Sequence, residues 1–344
     1  MANLKDRKRP TTNPSQAHLT GQPEWLNSLE QSGCKTVAVV GGSGRLGSLL
    51  TRFLAQAGIF VHVLDATPGE VLPGTTFTQI RLGAYGPTKV PDDLLDGVDA
   101  VVHLAALHGA HLVAGYPRNE FWRVNVGGTD EILAAAQRAN VPRVVVASST
   151  SIYGAGTAEG MRAKVLHEDA PLAPEDVYDL TKLASEELLR QYTSSIKGSV
   201  GVALRFGRFF FPSHADYHLR KLSTGLDAHD ACQAVVRALT TPLAAGTHAF
   251  CIASDHPMSH EQREHMGIDL REVLTAVLPE LLTAAERRGT ALPQRIGKSV
   301  DTSTAREQLG FAPERSLAWV ASTWNAERRA TARMSGQRWS DLAE

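Results

Sequence analysis

Short uninterrupted apolar runs alternate along this chain with longer stretches whose apolar residues recur every three or four positions. Residues 37–40 read Val-Ala-Val-Val, and 59–65, 99–104, 143–147, 200–205 and 248–253 are comparable runs. Runs of this length predict strands buried on both faces. Between them, residues 48–57, 119–140, 178–192 and 227–239 carry helical spacing, the second of these rich in alanine. The alternation predicts an α/β fold, a Rossmann-type doubly wound parallel sheet with helices on both faces. Three segments break the rhythm, 154–176, 208–225 and 254–295, each rich in proline, histidine or charge. They are expected to gather as a small C-terminal substrate-binding lobe over the sheet's carboxyl edge. The expected organisation is a mobile leader over 1–34, with a short helix around 25–29. A sheet core follows over 35–205, to which 226–253 returns. The lobe comes from 206–225 and 254–318, and a C-terminal helix and tail from 319–344.

The first apolar run leads into Gly41-Gly42-Ser43-Gly44-Arg45-Leu46-Gly47 and then into a helix. That order builds a pyrophosphate site. Gly41 can take the tight turn, Gly44 lets the backbone approach phosphates, and Gly47 lets the helix pack close to the strand. The helix N-terminus then aims N–H groups and a partial positive charge at the ligand. Asp65 closes the next strand, about where a ribose-binding acid belongs, roughly 20 residues past the glycines. Its carboxylate would accept from both ribose hydroxyls and repel a 2′-phosphate, which favours NAD over NADP. Arg45, near the phosphates, is the residue that would tolerate NADP. The plainer reading of Asp65 is a solvated cap on the strand exit.

A second group of residues carries acid–base chemistry. Ser148-Ser149-Thr150-Ser151 follows the valine run and emerges at the carboxyl edge of the sheet. Tyr178 and Lys182 stand four apart on one helix face. An ammonium beside a phenol is expected to lower the Tyr178 pKa toward neutrality, making it a usable general acid or base. Taken alone, Tyr-x-x-x-Lys also arises on solvated helix faces. The strand-end serines and the glycine turn set this instance apart.

The bulk numbers remove competing classes. The 344 residues carry 35 Lys and Arg against 36 Asp and Glu, a net charge of −1, so no electrostatic footprint for nucleic acid or a membrane surface is present. No apolar stretch approaches the roughly 20 residues needed to cross a bilayer. Residues 1–14 are basic and polar without an apolar core, unlike a secretory signal. Cys34, Cys232 and Cys251 fit neither a disulfide framework nor a metal pattern and suit a reducing cytoplasm. His256, His260 and His265 cluster in a polar segment without cysteine or helical pairing, so no metal is expected.

These motifs resemble the extended branch of the short-chain dehydrogenase/reductase superfamily, the NAD-dependent epimerase/dehydratase family. Gly41, Gly44 and Gly47 stand on its Gly-x-x-Gly-x-x-Gly, and His103-Leu104-Ala105-Ala106 on its His-x-Ala-Ala motif beside the cofactor. Asn125 stands on its helix asparagine, and Ser149, Tyr178 and Lys182 on its catalytic residues. The residues after 300, ending in Leu309-Gly310-Phe311, resemble its C-terminal helix. The resemblance implies a cofactor set of Gly41, Gly44, Arg45, Leu46, Gly47, Asp65, Leu104, Ala105, Ala106, Asn125, Ala147, Tyr178 and Lys182. It also implies a homodimer built on the 119–140 and 178–192 helices. Many relatives place an aspartate after the third strand against adenine, where this chain has Arg81-Leu82-Gly83-Ala84. Dehydratases of the family place Asp-Glu after the catalytic hydroxyl, where Thr150-Ser151 stands, which argues against water elimination. The segment between Arg205 and Asp227 is short, as in uronate dehydrogenases. That comparison puts Arg220 on the residue pairing with a sugar carboxylate, with Ser149, Thr150, Ser151 and Arg208 as further substrate contacts. Otherwise Arg220 is a solvated loop residue.

Three functions are carried forward. The first is reversible NAD-dependent hydride transfer at a secondary hydroxyl of a small sugar or sugar-acid-like molecule. The second is a redox-neutral sugar or nucleotide-sugar epimerase with tightly bound NAD. The third, from another class, is a non-catalytic dinucleotide sensor.

Overall fold

The computed structural model describes residues 23–83, 90, 91, 93–209 and 218–330. Among them are nine strands: β1 (Thr36–Val40), β2 (Phe60–Asp65), β3 (Thr75–Gln79), β4 (Ala100–His103), β5 (Arg143–Ser149), β6 (Lys164–Leu166), β7 (Val200–Phe206), β8 (Gly246–Ile252) and β9 (Lys298–Val300). Seven form one sheet in the order β3-β2-β1-β4-β5-β7-β8. From β3 to β5 neighbouring strands run parallel, with Val37 opposite both Val61 and Ala100. Val37 to Val40, the whole of β4 and the whole of β7 are buried, as strands covered on both faces must be. The doubly wound α/β fold expected from the alternation is present. The winding reverses between β1 and β4, which makes their carboxyl ends the topological switch point.

The Arg45–Gln56 helix follows β1 and buries Leu46, Leu50 and Leu54, one residue per turn. The expected helix over 119–140 is interrupted. Arg118–Phe121 and Gly128–Arg138 are α-helical, and Trp122–Gly127 between them is a π-helix. Within this region Phe121 is buried and Trp122 partly exposed. The third strand that the family resemblance implies before Arg81 is β3, which apolar patterning alone does not show. Thr-Thr-Phe-Thr-Gln is a half-exposed edge strand and gives no apolar run.

Within the expected leader, a short helix stands around 25–29. Glu24–Leu26 and Asn27–Ser32 are helical, and Trp25, Leu26 and Leu29 are buried. The Trp25 ring meets Phe53 edge-on at 5.2 Å, and the Thr240 hydroxyl donates to Ser28 Oγ at 3.1 Å. Apolar residues on a short helix dock on the core and fix a segment whose flank alone looked mobile. The leader through residue 22, residues 210–217 of the expected lobe, and the tail from 331 lie outside the described residues.

The chain divides into two compact units. One comprises Met1–Ser148, Leu180–Ala203 and Val235–His248; the other comprises Ser149–Asp179, Leu204–Ala234 and Ala249–Glu344. Residues 149–179 lie within the span 35–205, yet 154–176 is one of the segments expected to gather with the late chain. In the structure this segment clusters with the late chain because β6 pairs with β9, Lys164 opposite Lys298. The second unit has its own apolar core, including Met266, Leu270, Leu274, Leu281, Leu317 and Trp324. Short helices supply it: His260–His265 with a Ser259/Gln262 capping box, Leu270–Val277 capped by Asp269, and Pro279–Arg288 with proline in its first turn. No helix among the described residues is long and apolar enough to cross a membrane.

Candidate functional site

In the first unit the glycine turn is a cradle that side chains would fill. Gly41 has φ of +82°, and a Cβ there would lie 2.6 Å from Ala105 N. A Cβ at Gly47 would lie 2.1 Å from Gly41 O, and one at Gly44 3.2 Å from the same atom. Gly41 N donates to Leu64 O at 2.7 Å, so the turn is pinned between β1 and β2. Leu104 N and Ala105 N both donate to Val40 O, at 2.8 and 3.1 Å, bringing the Leu104-Ala105-Ala106 exit of β4 alongside the turn. Leu46 is buried in the first turn of the following helix, and Arg45 is exposed beside it. The Asp65 carboxylate accepts from Ser43 N at 3.0 Å and Thr67 N at 3.1 Å. The Thr67 hydroxyl also donates to Oδ1 at 3.4 Å, so Oδ2 is the oxygen that retains lone-pair capacity for a hydroxyl donor. A dinucleotide pyrophosphate with a ribose diol fits this donor and acceptor set.

Asn125 is placed differently from its expected role as a cofactor contact. Its carboxamide is spent inside the protein: Oδ1 accepts from Leu107 N at 2.7 Å, and Nδ2 donates to Leu107 O and to Thr181 Oγ1, both at 2.9 Å. It is 1% exposed and ties the post-β4 segment to the helix that carries Lys182. His103 lies in the same layer, its Nε2 3.0 Å from Thr129 Oγ1. Burial, with Lys182 nearby, drives its pKa down to about 3, so the ring is neutral.

Lys182 is buried and donates from Nζ to Ala147 O at 2.8 Å. Burial lowers its pKa to about 8, opposed by Glu186 one turn further along the Val177–Ser195 helix. Glu186 in turn accepts from Ser148 Oγ at 2.5 Å. Sequence reasoning passed over Glu186, although its spacing continues the Tyr178–Lys182 stripe.

In the second unit Ser149 and Tyr178 are hydrogen-bonded partners. Ser149 Oγ also accepts from Ser151 N at 3.1 Å and lies 2.8 Å from Ser151 Oγ, which fixes its rotamer at the end of β5. The expected depression of the Tyr178 pKa is not met. Burial pushes the phenol up to about 12, the bond to Ser149 opposes this, and Asp179 and Asp176 add to the rise. A half-buried phenol next to two carboxylates resists ionisation more than helix spacing alone suggests.

Thr150 also departs from expectation. It is buried and donates to Phe206 O at 3.3 Å, so it faces the protein rather than a substrate. Arg208 and Arg220 have exposed side chains on one loop system, where Gly225 N donates to Arg220 O at 2.7 Å and Leu226 N to Arg208 O at 2.9 Å. Two lysines missed in the sequence hold the turn after Ser149. Lys164 donates to Tyr153 O at 3.0 Å and Lys298 to Gly154 O at 2.8 Å. Only the β6–β9 pairing puts them side by side. The three late histidines serve separate ends. His256 is buried against Arg263 and Lys221 O, His265 lies 3.0 Å from Glu272, and His260 lies 3.9 Å from Glu264.

Comparison with known proteins adds three findings. Residues 37–226 match the family model described as NAD dependent epimerase/dehydratase family. A 3 beta-hydroxysteroid dehydrogenase/Delta 5-->4-isomerase of Mycobacterium tuberculosis is 36% identical over 35% of this chain and 33% of its own length. The chain thus spans about a third of the length of the first curated relatives it matches. A UDP-glucose 4-epimerase of Streptomyces lividans is 26% identical over 83% of this chain and 94% of its own. Among solved structures, MoeE5 in complex with UDP-glucuronic acid and NAD superposes with a TM-score of 0.61 at 24% identity, covering 86% of this chain and 99% of that one. That likeness is one of fold.

Proposed function

The chain belongs to the NAD dependent epimerase/dehydratase family, and we propose that it is an enzyme performing reversible NAD-dependent hydride transfer at a secondary hydroxyl of a small sugar or sugar-acid-like molecule. The observation that carries the reading is the hydrogen-bonded Ser149–Tyr178 pair at the head of a helix whose next turn presents Lys182. In this reading Gly41, Gly44, Gly47 and the following helix N-terminus hold the pyrophosphate, and Asp65 holds the ribose of NAD rather than NADP. Bound NAD supplies the hydride acceptor. Ser149 and Ser151 hold the substrate oxygen. The Tyr178 phenol oxygen exchanges the proton with that oxygen, giving it up when a carbonyl is reduced and taking it when a carbinol is oxidised. Lys182, one turn along the same helix and anchored on Ala147 O, supplies a positive charge. The phenol's resistance to ionisation suits a proton donor better than a standing base at neutral pH. Arg220 is the proposed partner of a substrate carboxylate.

A relative that matches over 83% of this chain is an epimerase, which supports a second reading: a redox-neutral epimerase that returns the hydride to the other face. The test incubates purified protein with NAD and a panel of neutral and acidic sugars, following reduced-nicotinamide absorbance and product stereochemistry together. Accumulating NADH establishes net dehydrogenation, and inverted product without NADH establishes epimerisation. Absence of both, with unaltered substrate throughout the panel, overturns the enzymatic reading in favour of a sensor. The proposal extends to a homodimer, checked by light scattering, and to a cytoplasmic setting, which suits three cysteines that form no disulfide.

A further inference from the structure

We propose that Arg123 and Glu131 are positioning residues for the adenine half of the dinucleotide, clamping the segment that leaves β3. The inference rests on the dinucleotide reading above. With the pyrophosphate over the glycine turn after β1 and a ribose at Asp65 at the end of β2, the attached base extends toward the exit of β3. That exit lies close to the ribose acid: Ile80 N donates to Asp65 O at 2.9 Å, and Gln79 Nε2 donates to Ala66 O at 2.8 Å.

The exit reads Ile80-Arg81-Leu82-Gly83 and carries no carboxylate of its own. Side chains from the helical region opposite hold it. Arg123 Nη1 donates to Leu82 O and Gly83 O, both at 3.1 Å, while the other edge of the guanidinium grips Glu120, with Nη2 to Oε2 at 2.6 Å. Glu131 Oε2 accepts from Gly83 N at 3.1 Å. The backbones meet without room for side chains. Gly83 has φ of +65°, and a Cβ on it would lie 2.1 Å from Arg123 O; one on Gly128 would lie 2.6 Å from Leu82 Cβ. Arg123 itself sits in the π-helical segment, whose extra residue per turn re-aims side chains and which recurs at functional sites. The interrupted helix, the left-handed glycine and the forked arginine thus serve one arrangement. It fixes both carbonyls and the N–H of the segment, leaving its outer face as a preformed wall for the base.

The test measures binding of three probes to the full chain by calorimetry: NADH, ADP-ribose, and reduced nicotinamide mononucleotide, which lacks the adenosine. Arg123→Met is expected to weaken NADH and ADP-ribose about tenfold while leaving the mononucleotide within about twofold. Glu131→Gln is expected to weaken the same two about threefold, and Arg123→Lys to fall between wild type and Arg123→Met. Unchanged affinities, or equal loss for all three probes, would overturn the clamp. If Arg123→Met lacks a cooperative melting transition, Glu131→Gln and Glu120→Gln decide by the same split. Failure of the wild-type chain to bind any of the three would instead remove the dinucleotide reading itself.

Discussion

At the scale of single residues, function turns on what surrounds each polar group. Burial and two neighbouring carboxylates move the Tyr178 phenol further from ionisation at neutral pH than Ser149 moves it back. Tyr178→Phe is expected to lower kcat by about 10²–10⁴-fold while changing NADH affinity far less, read by turnover and by fluorescence titration. Lys182 loses its proton as pH rises through about 8, so activity that needs the ammonium falls on that alkaline limb. Because Glu186 supports the charged form, Glu186→Gln is expected to move the limb to lower pH, visible in a kcat profile. Asp65→Asn is expected to narrow the preference for NAD over NADP about tenfold, because the charge that repels a 2′-phosphate is gone, as measured by competition titration. The types and spacing of these residues were legible in the sequence. The family resemblance singled out Ser149 among the four consecutive hydroxyls at 148–151, but which of the others turns inward was not legible. Thr150 turns inward because Phe206 O, from another strand, is there to receive it.

At the scale of elements, the glycine turn is the tightest constraint. Gly47→Ala would drive a methyl into Gly41 O, so either the helix leaves the strand or the turn opens. The expected outcome is a loss of about 1–3 kcal/mol of stability together with dinucleotide binding, read by thermal melting and NADH titration. In the second unit, Leu274 is fully buried in a core supplied by short helices, and Leu274→Ala is expected to cost about 2–5 kcal/mol by denaturant titration. Strong elements were readable because a buried parallel strand must be apolar throughout and an amphipathic helix must repeat every turn. The short late helices offered little period, although their caps, Ser259 with Gln262 and Asp269, stood in the sequence. The π-helical segment gave no periodic signal, and its contacts run to the distant β3 exit.

At the scale of the whole molecule, two buried histidines link folding to pH. His103 and His256 both have pKa values lowered from 6.5 to about 3, mainly by burial, with Lys182 acting on the first and Arg263 on the second. Below pH 6.5 the unfolded chain takes up protons that the folded chain refuses, so stability falls as pH drops from about 6.5 toward 3. Each site contributes a slope of up to about 1.4 kcal/mol per pH unit, and melting temperatures across that range check it. His256→Gln is expected to flatten the slope. By itself the sequence determined the alternation of strand and helix, the glycine turn after β1 and the Tyr178–Lys182 stripe. Each of these depends on residues close in the chain, whose spacing is fixed by backbone geometry. Tertiary structure alone decided that Asn125 braces a loop instead of facing outward, that Lys164 and Lys298 share a turn, and that Arg123 grips the end of β3. Those partners are distant in sequence and are set by where other segments bring their carbonyls, which no local pattern encodes.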